Sequence, residues 1–229
     1  GSTTFGSKVD ERFALTGDRA EWTDATGAGN ALMRTPAIYV SQFGSPWSLG
    51  LYARALLKAG NRMAALPGGT LKLEKIADVK AGDTPVAAYA ISGIDTEPMT
   101  LFLDGKQELF AVASPDFAVI RAGHAADEAK LRQLVEQWDT QRMVDYQKQL
   151  AHKPAGNLRI TNVRVFQPAT ASLSAPASVV VRGDRIVAVE AADARAPGET
   201  LVDGKAGTLL AGFTDMHAHL GQNSALSNI

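Results

Sequence analysis

Gly212-Phe213-Thr214-Asp215-Met216-His217-Ala218-His219-Leu220 decides how this chain is read. An apolar run, Thr208-Leu209-Leu210-Ala211-Gly212-Phe213, leads into a His-x-His pair. In a β-strand side chains alternate between faces, so positions 215, 217 and 219 point the same way. Two imidazoles spaced like this on one face can reach a single metal ion. Zinc chemistry needs three or four protein ligands, or three plus a water, and only ten residues follow His219. The expectation is the start of an active site whose remainder lies elsewhere.

The pieces upstream share an order. Ile160-Thr161-Asn162-Val163-Arg164-Val165-Phe166 comes first, then Val179-Val180-Val181-Arg182-Gly183-Asp184-Arg185-Ile186-Val187-Ala188-Val189. Leu201-Val202-Asp203-Gly204 and the run from Gly207 to His219 complete the set. From Asn157 to Leu220 the chain resembles the opening of an amidohydrolase-superfamily enzyme, of the imidazolonepropionase and prolidase kind. One position departs from the family pattern, with Ala211 where the family usually has proline. The resemblance implies a small β-sandwich followed by a (β/α)₈ barrel that has the His-x-His on its first strand. Such a barrel takes roughly 250 residues.

The resemblance also implies chemistry. His217 and His219 would be ligands to a divalent metal, most often zinc, and Asp215 would be adjacent to the site. The remaining ligands, a lysine and two histidines, and a catalytic aspartate would lie on later barrel strands. Catalytic residues are therefore expected outside this chain, with weak or no metal binding by the chain alone. The implied reaction is hydrolysis of an amide, cyclic amide or peptide bond by metal-activated water. Xaa-Pro dipeptides and imidazolone-like rings are the kind of substrate it permits. A competing reading makes residues 3–150 a binding or dimerisation module attached to a degenerate, non-catalytic relative. The resemblance also leans toward an exported or periplasmic bacterial protein, and Gly1-Ser2 reads as the scar of a cleaved tag.

Composition narrows the partners. A net charge of −1 provides no basic field for nucleic acid or anionic lipid. No apolar stretch approaches the roughly 20 residues of a membrane span. Cysteine is absent, which excludes disulfides, thiolate zinc sites and cysteine nucleophiles. A small-molecule or peptide substrate and a homo-oligomer remain compatible with these limits.

The fold expected is mainly β with two helices. An N-terminal antiparallel β-rich α+β domain (3–125) leads through a long helix (126–153) into the sandwich segment and first barrel strand (157–229). Short strands are expected around Phe13, Trp22, Ile38, Leu73, Tyr89, Phe102, Phe110 and Val119, with hairpin signals at Gly17-Asp18 and Asp104-Gly105. One helix is expected over Leu49 to Ala59, stopped by Gly60-Asn61. A second, from about Ala126 to His152, shows an apolar stripe of Leu131, Leu134, Val135 and Trp138 that Met143, Tyr146 and Leu150 extend. Residues 166 to 178 and 191 to 198, rich in Ala, Ser and Pro, read as loops.

Other signals favour plain readings. Thr26-Gly27-Ala28-Gly29-Asn30 and Pro67-Gly68-Gly69-Thr70 lack a phosphate-loop Lys-Ser/Thr and read as turns. Ser45 lacks a nucleophile-elbow context, and Tyr39, Phe43 and Trp47 read as core aromatics. His124 and His152 read as isolated histidines, and Arg182-Gly183-Asp184 as a β-turn.

Overall fold

The structure, a computed structural model, describes residues 2–4, 7–24, 26–42 and 44–212, with side chains from Asp10 onward. Among these described residues it is mainly β, with 49% in strands, and has two α-helices. Contacts divide it into two units, the first running to Met143 and the second beginning at Val144.

Unit one begins with the antiparallel pair β1 (Ser2–Thr4) and β2 (Ser7–Val9). A three-stranded antiparallel sheet follows, made of β3 (Arg12–Thr16), β4 (Arg19–Asp24) and β5 (Gly27–Leu32). Gly17, at φ 63°, supplies the left-handed conformation that the tight β3–β4 turn requires. The glycine-rich stretch expected as a turn is largely strand β5. Trp22 faces Gly29 across the ladder and lies over it, so a Cβ at Gly29 would sit 2.5 Å from the indole Cζ2. The aromatic ring supplies the packing that glycine lacks, which local propensity does not register.

The main sheet of unit one has seven strands: β6 (Ala37–Tyr39), β7 (Arg62–Leu66), β8 (Thr70–Ala81), β9 (Thr84–Ser92), β10 (Met99–Asp104), β11 (Leu109–Ala113) and β12 (Ala118–Ile120). They lie in the spatial order β12-β11-β10-β9-β8-β7-β6. All neighbours are antiparallel except β6 and β7, which are parallel. Parallel neighbours need a crossover, here helix α1 (Pro46–Lys58). The front domain is thus not purely antiparallel.

Helix α1 starts earlier than expected because Pro46 occupies its first turn, where a missing N–H costs nothing. It stops as expected: Gly60 and Asn61 are left-handed and the Asn61 N–H returns to the Leu56 carbonyl at 2.7 Å.

The sheet is buried on both faces. On one, Leu49, Ala53 and Leu56 of α1 pack with Leu71, Leu73, Ile91, Leu101, Leu103 and Val112. On the other, helix α2 (Glu128–Leu150) sets Leu131 and Val135 against Val86, Ala88, Phe102, Phe110 and Ala111, with Trp138 beside Phe102 at 6.2 Å between ring centroids. Central strand β10 therefore reads as a continuous apolar run, Leu101-Phe102-Leu103, rather than an alternating one.

The apolar stripe of α2 is used over only half its length. Leu131 is 0% exposed, whereas Tyr146 and Leu150 lie on the surface. A 23-residue helix runs about 34 Å, and the core that covers it includes no residue beyond Trp138. Trp47, expected in the core, is 60% exposed. Tyr39 stacks on Phe13 at 4.5 Å, and its hydroxyl donates to Glu11 at 2.7 Å.

Unit two contains a four-stranded sheet of β13 (Leu158–Gln167), β14 (Ser172–Arg182), β15 (Arg185–Ala191) and β16 (Thr200–Leu209), in the order β15-β14-β13-β16. Strand β16 runs parallel to β13 and the other neighbours are antiparallel. Much of the loop expected at 166–178 is strand: β14 begins at Ser172 and Pro176 stands opposite Arg164. Proline is accommodated because the ladder shifts register beside it, and the Ser174 hydroxyl takes the Val165 N–H at 2.9 Å. Within Arg182-Gly183-Asp184, Gly183 and Asp184 make the two-residue β14–β15 turn, as expected.

Candidate functional site

His217, His219 and Asp215, the residues expected to bind or adjoin a metal, lie outside the described residues. The described strand that precedes them, β16, carries a pronounced irregularity. Thr161 pairs with Asp203 and Val163 with Gly207, so residues 204–206 bulge out opposite Asn162 alone. Lys205, Ala206 and Asn162 all have positive φ.

Side chains stabilise this bulge. The Asp203 carboxylate accepts the Lys205 N–H at 2.9 Å and the Asn162 side-chain amide at 3.1 Å. Those two bonds hold the Asp203 carboxyl below its ordinary range. Gly204 is required sterically: a Cβ there would collide with Val163 Cγ1 and come within 3.0 Å of the Thr161 carbonyl oxygen. A bulge of this kind bends and re-aims the strand that follows it.

An ion-pair network that the sequence does not reveal lies beside this strand. Arg159 of β13 is buried, and its guanidinium donates to both oxygens of Glu199, to Glu190 Oε2 at 2.7 Å and to Ser178 Oγ at 2.9 Å. The Glu199 side chain is itself buried, immediately ahead of β16. Hydrogen bonding to Glu199, then to Glu190, raises the pKa of Arg159, and the same bond to Arg159 lowers that of Glu199. The one hint in the sequence is a charged residue at an inward position of the alternation 159-161-163. Its partners, 31 and 40 residues away, could not be read from it.

Unit one has cavities of its own. The larger, about 610 Å³, lies where β6 and β7 end and α1 begins. Its walls include Val40, Leu49, Leu66 and Met99, with Ser41, Ser45, Ser48 and Tyr52 at its polar side. The Tyr52 hydroxyl accepts the Ser41 N–H at 3.4 Å. Asp24 on the rim is lowered by hydrogen bonds from the Thr26 hydroxyl and N–H.

A smaller cavity of about 200 Å³ is lined by Asp95, Glu97 and Asp139. Burial raises the Asp139 carboxyl, with Arg142 at 2.7 Å pulling the other way. Ser45 occupies the N-cap position of α1 without a side-chain cap bond, and among the described residues no histidine hydrogen-bonds to a serine or threonine. His124 packs edge-on to Phe110 at 4.7 Å, with Nδ1 3.4 Å from Asp127.

Among the described residues no group of three or more His, Asp or Glu side chains could hold a metal ion. None of their helices is long and apolar enough to cross a membrane. Comparison with protein-family models, curated proteins and solved structures returned no match.

Proposed function

We propose that this chain is the N-terminal part of a metal-dependent amidohydrolase acting on a C–N bond, and that it has little or no hydrolytic activity by itself. The reading is carried by the ordered agreement of residues 157–220 with the opening of that superfamily. Those elements share one sheet as far as they are described. Ile160–Phe166 lies in β13, Val179–Arg182 in β14, Arg185–Val189 in β15, and Leu201–Gly204 with Gly207–Leu209 in β16.

The donor chemistry suits the implied metal. Neutral imidazoles are good zinc ligands, and two of them two residues apart can share one ion, though a catalytic centre needs a third protein ligand. Bound zinc would lower the pKa of its water and polarise the scissile carbonyl. His217 and His219 would supply the ligands from this chain, with Asp215 beside them. Arg159 and the bulge at Gly204 would fix the strand leading to them.

The test is to read the gene of the native protein beyond codon 229. A lysine and two further histidines at barrel-strand intervals, followed by an aspartate, are expected. If the polypeptide ends at Ile229, or continues without those residues, the reading fails.

A further inference from the structure

Strand β15 closes one side of the four-stranded sheet, and its outer edge has no neighbour among the described residues. Sheet edges are normally blunted by charges, bulges or brevity, because an open edge invites pairing with another chain. The opposite edge, β16, is blunted by the three-residue bulge at 204–206. Strand β15 carries only a single extra residue, Val187, over its seven residues, and it exposes three apolar side chains: Ile186 at 69%, Val187 at 47% and Val189 at 59%.

We infer that β15 is a self-pairing edge, joining the same strand of a second copy antiparallel about a two-fold axis between Val187 and Ala188. In this register Ile186 faces Val189 of the second copy and Arg185 faces its Glu190, each contact occurring twice.

Three features of the strand select that register. The first is charge: opposite signs fall opposite one another at both ends, as favourable cross-strand pairs require. The second is face. The register shift opposite Val180 and Val181 makes Val187 the extra residue, so Ile186 pairs with Val181 and Val189 with Val179. Ile186 and Val189, three apart, therefore project on the same face, as directly opposed residues must. Arg185 and Glu190, which pair with Arg182 and Ser178, share the other face.

The third feature is hydrogen-bond phase. Arg182 and Arg185 flank a two-residue turn and form the bonded pair of that hairpin. Counting along β15 from there, past the bulge, directs the peptide groups of Ile186 and Val189 outward. They are the groups that meet across the axis. The product is a continuous eight-stranded sheet with closed, isologous symmetry.

Only six residues per strand take part, so the dimer should form at concentrations on the order of 100 µM, the regime of small interfaces. The test is sedimentation of the full chain across that range, for the wild type and two double variants. Ile186→Lys with Val189→Lys places like charges opposite twice and should weaken dimerisation by about tenfold or more. Ile186→Lys with Val189→Glu places opposite charges there and should restore a dimer that weakens as salt is added.

A wild type that stays monomeric throughout overturns the proposal. So does a Lys/Lys variant that dimerises normally, or a Lys/Glu variant no better than Lys/Lys. If either variant misfolds, amide exchange of the wild type decides. Protection at Ile186 and Val189 should rise with protein concentration, and concentration-independent exchange overturns the pairing.

Discussion

Replacing Leu131 and Leu150 with alanine, one at a time, tests how helix α2 is held. Both belong to the same amphipathic stripe, and leucine and alanine have similar helix propensities, so the helix itself is little affected. Their surroundings differ: Leu131 is 0% exposed and packs in the core with Phe102 and Phe110, whereas Leu150 is 69% exposed. Truncating a fully buried leucine costs about 2–5 kcal/mol through lost transfer energy and the cavity left behind. An exposed apolar residue should change stability by about 0.5 kcal/mol or less. With a urea slope on the order of 2 kcal/mol/M, Leu131→Ala should lower the unfolding midpoint by about 1–2.5 M, while Leu150→Ala should barely move it. Tryptophan fluorescence is a clean probe, because Trp22, Trp47 and Trp138 all belong to unit one. Equal shifts for the two variants, or a Leu131→Ala shift below about 0.3 M, would refute the packing described for α2.

Three further outcomes are expected. Gly204→Ala should destabilise unit two by about 1–3 kcal/mol, the usual range for an overpacked site, since its Cβ collides with Val163; far-ultraviolet circular dichroism during urea unfolding would measure it. Arg159→Met should destabilise unit two by the same assay, and far more than Lys75→Ala disturbs the exposed Lys75–Asp78 pair of unit one, because Glu199 stays buried without its partner. Zinc added to the chain should bind weakly, with the weak binding lost in the His217→Ala/His219→Ala variant, and should produce no dipeptide hydrolysis. A tight zinc site that survives both substitutions, seen by calorimetry, would contradict the ligand assignment.

The Arg159–Glu199 pair also predicts a pH dependence. Because Glu199 is depressed in the folded state, its contribution is complete above the ordinary glutamate value of 4.5. It is lost as pH falls from there through the lower folded value. Unit two should therefore hold its midpoint between roughly pH 5 and 7 and weaken in more acidic buffer. Glu199→Gln should flatten that acid limb, and an unchanged acid limb would show that other groups control it.

Local signals in the sequence were reliable where the chemistry is local. Gly17-Asp18 and Asp104-Gly105 both mark hairpins, although the second connection runs from Gly105 to Glu108. There Asp104 accepts the N–H groups of Lys106 and Glu108 as well as the Arg121 guanidinium. Leu131, Leu134, Val135 and Trp138 lie on the packed face of α2 as their spacing indicates. Features set by distant neighbours were not legible. The first part of β14, from Ser172 to Ser178, is obscured by Pro176 and its Ala/Ser surroundings, because the register shift that accommodates proline belongs to the pairing with β13. Strand β5 is glycine-rich, and Trp22 of the adjacent strand makes it a viable ladder. The exposure of Leu150 could not be read from a periodicity that continues past the packed core. At the candidate site the His-x-His motif was plain, but the Arg159 network that braces the approach joins residues 40 apart.

Strand β10 belongs to both interiors of unit one, sending Leu101 and Leu103 to one side and Phe102 to the other. A wall shared in this way leaves neither half able to stand when the other is removed. Any expression boundary drawn before Glu128 would strip the cover from Phe102 and Phe110 and yield a sticky, poorly soluble product. The first turns of the long helix are thus an integral part of the front module, and a trimmed version intended for separate study should keep them.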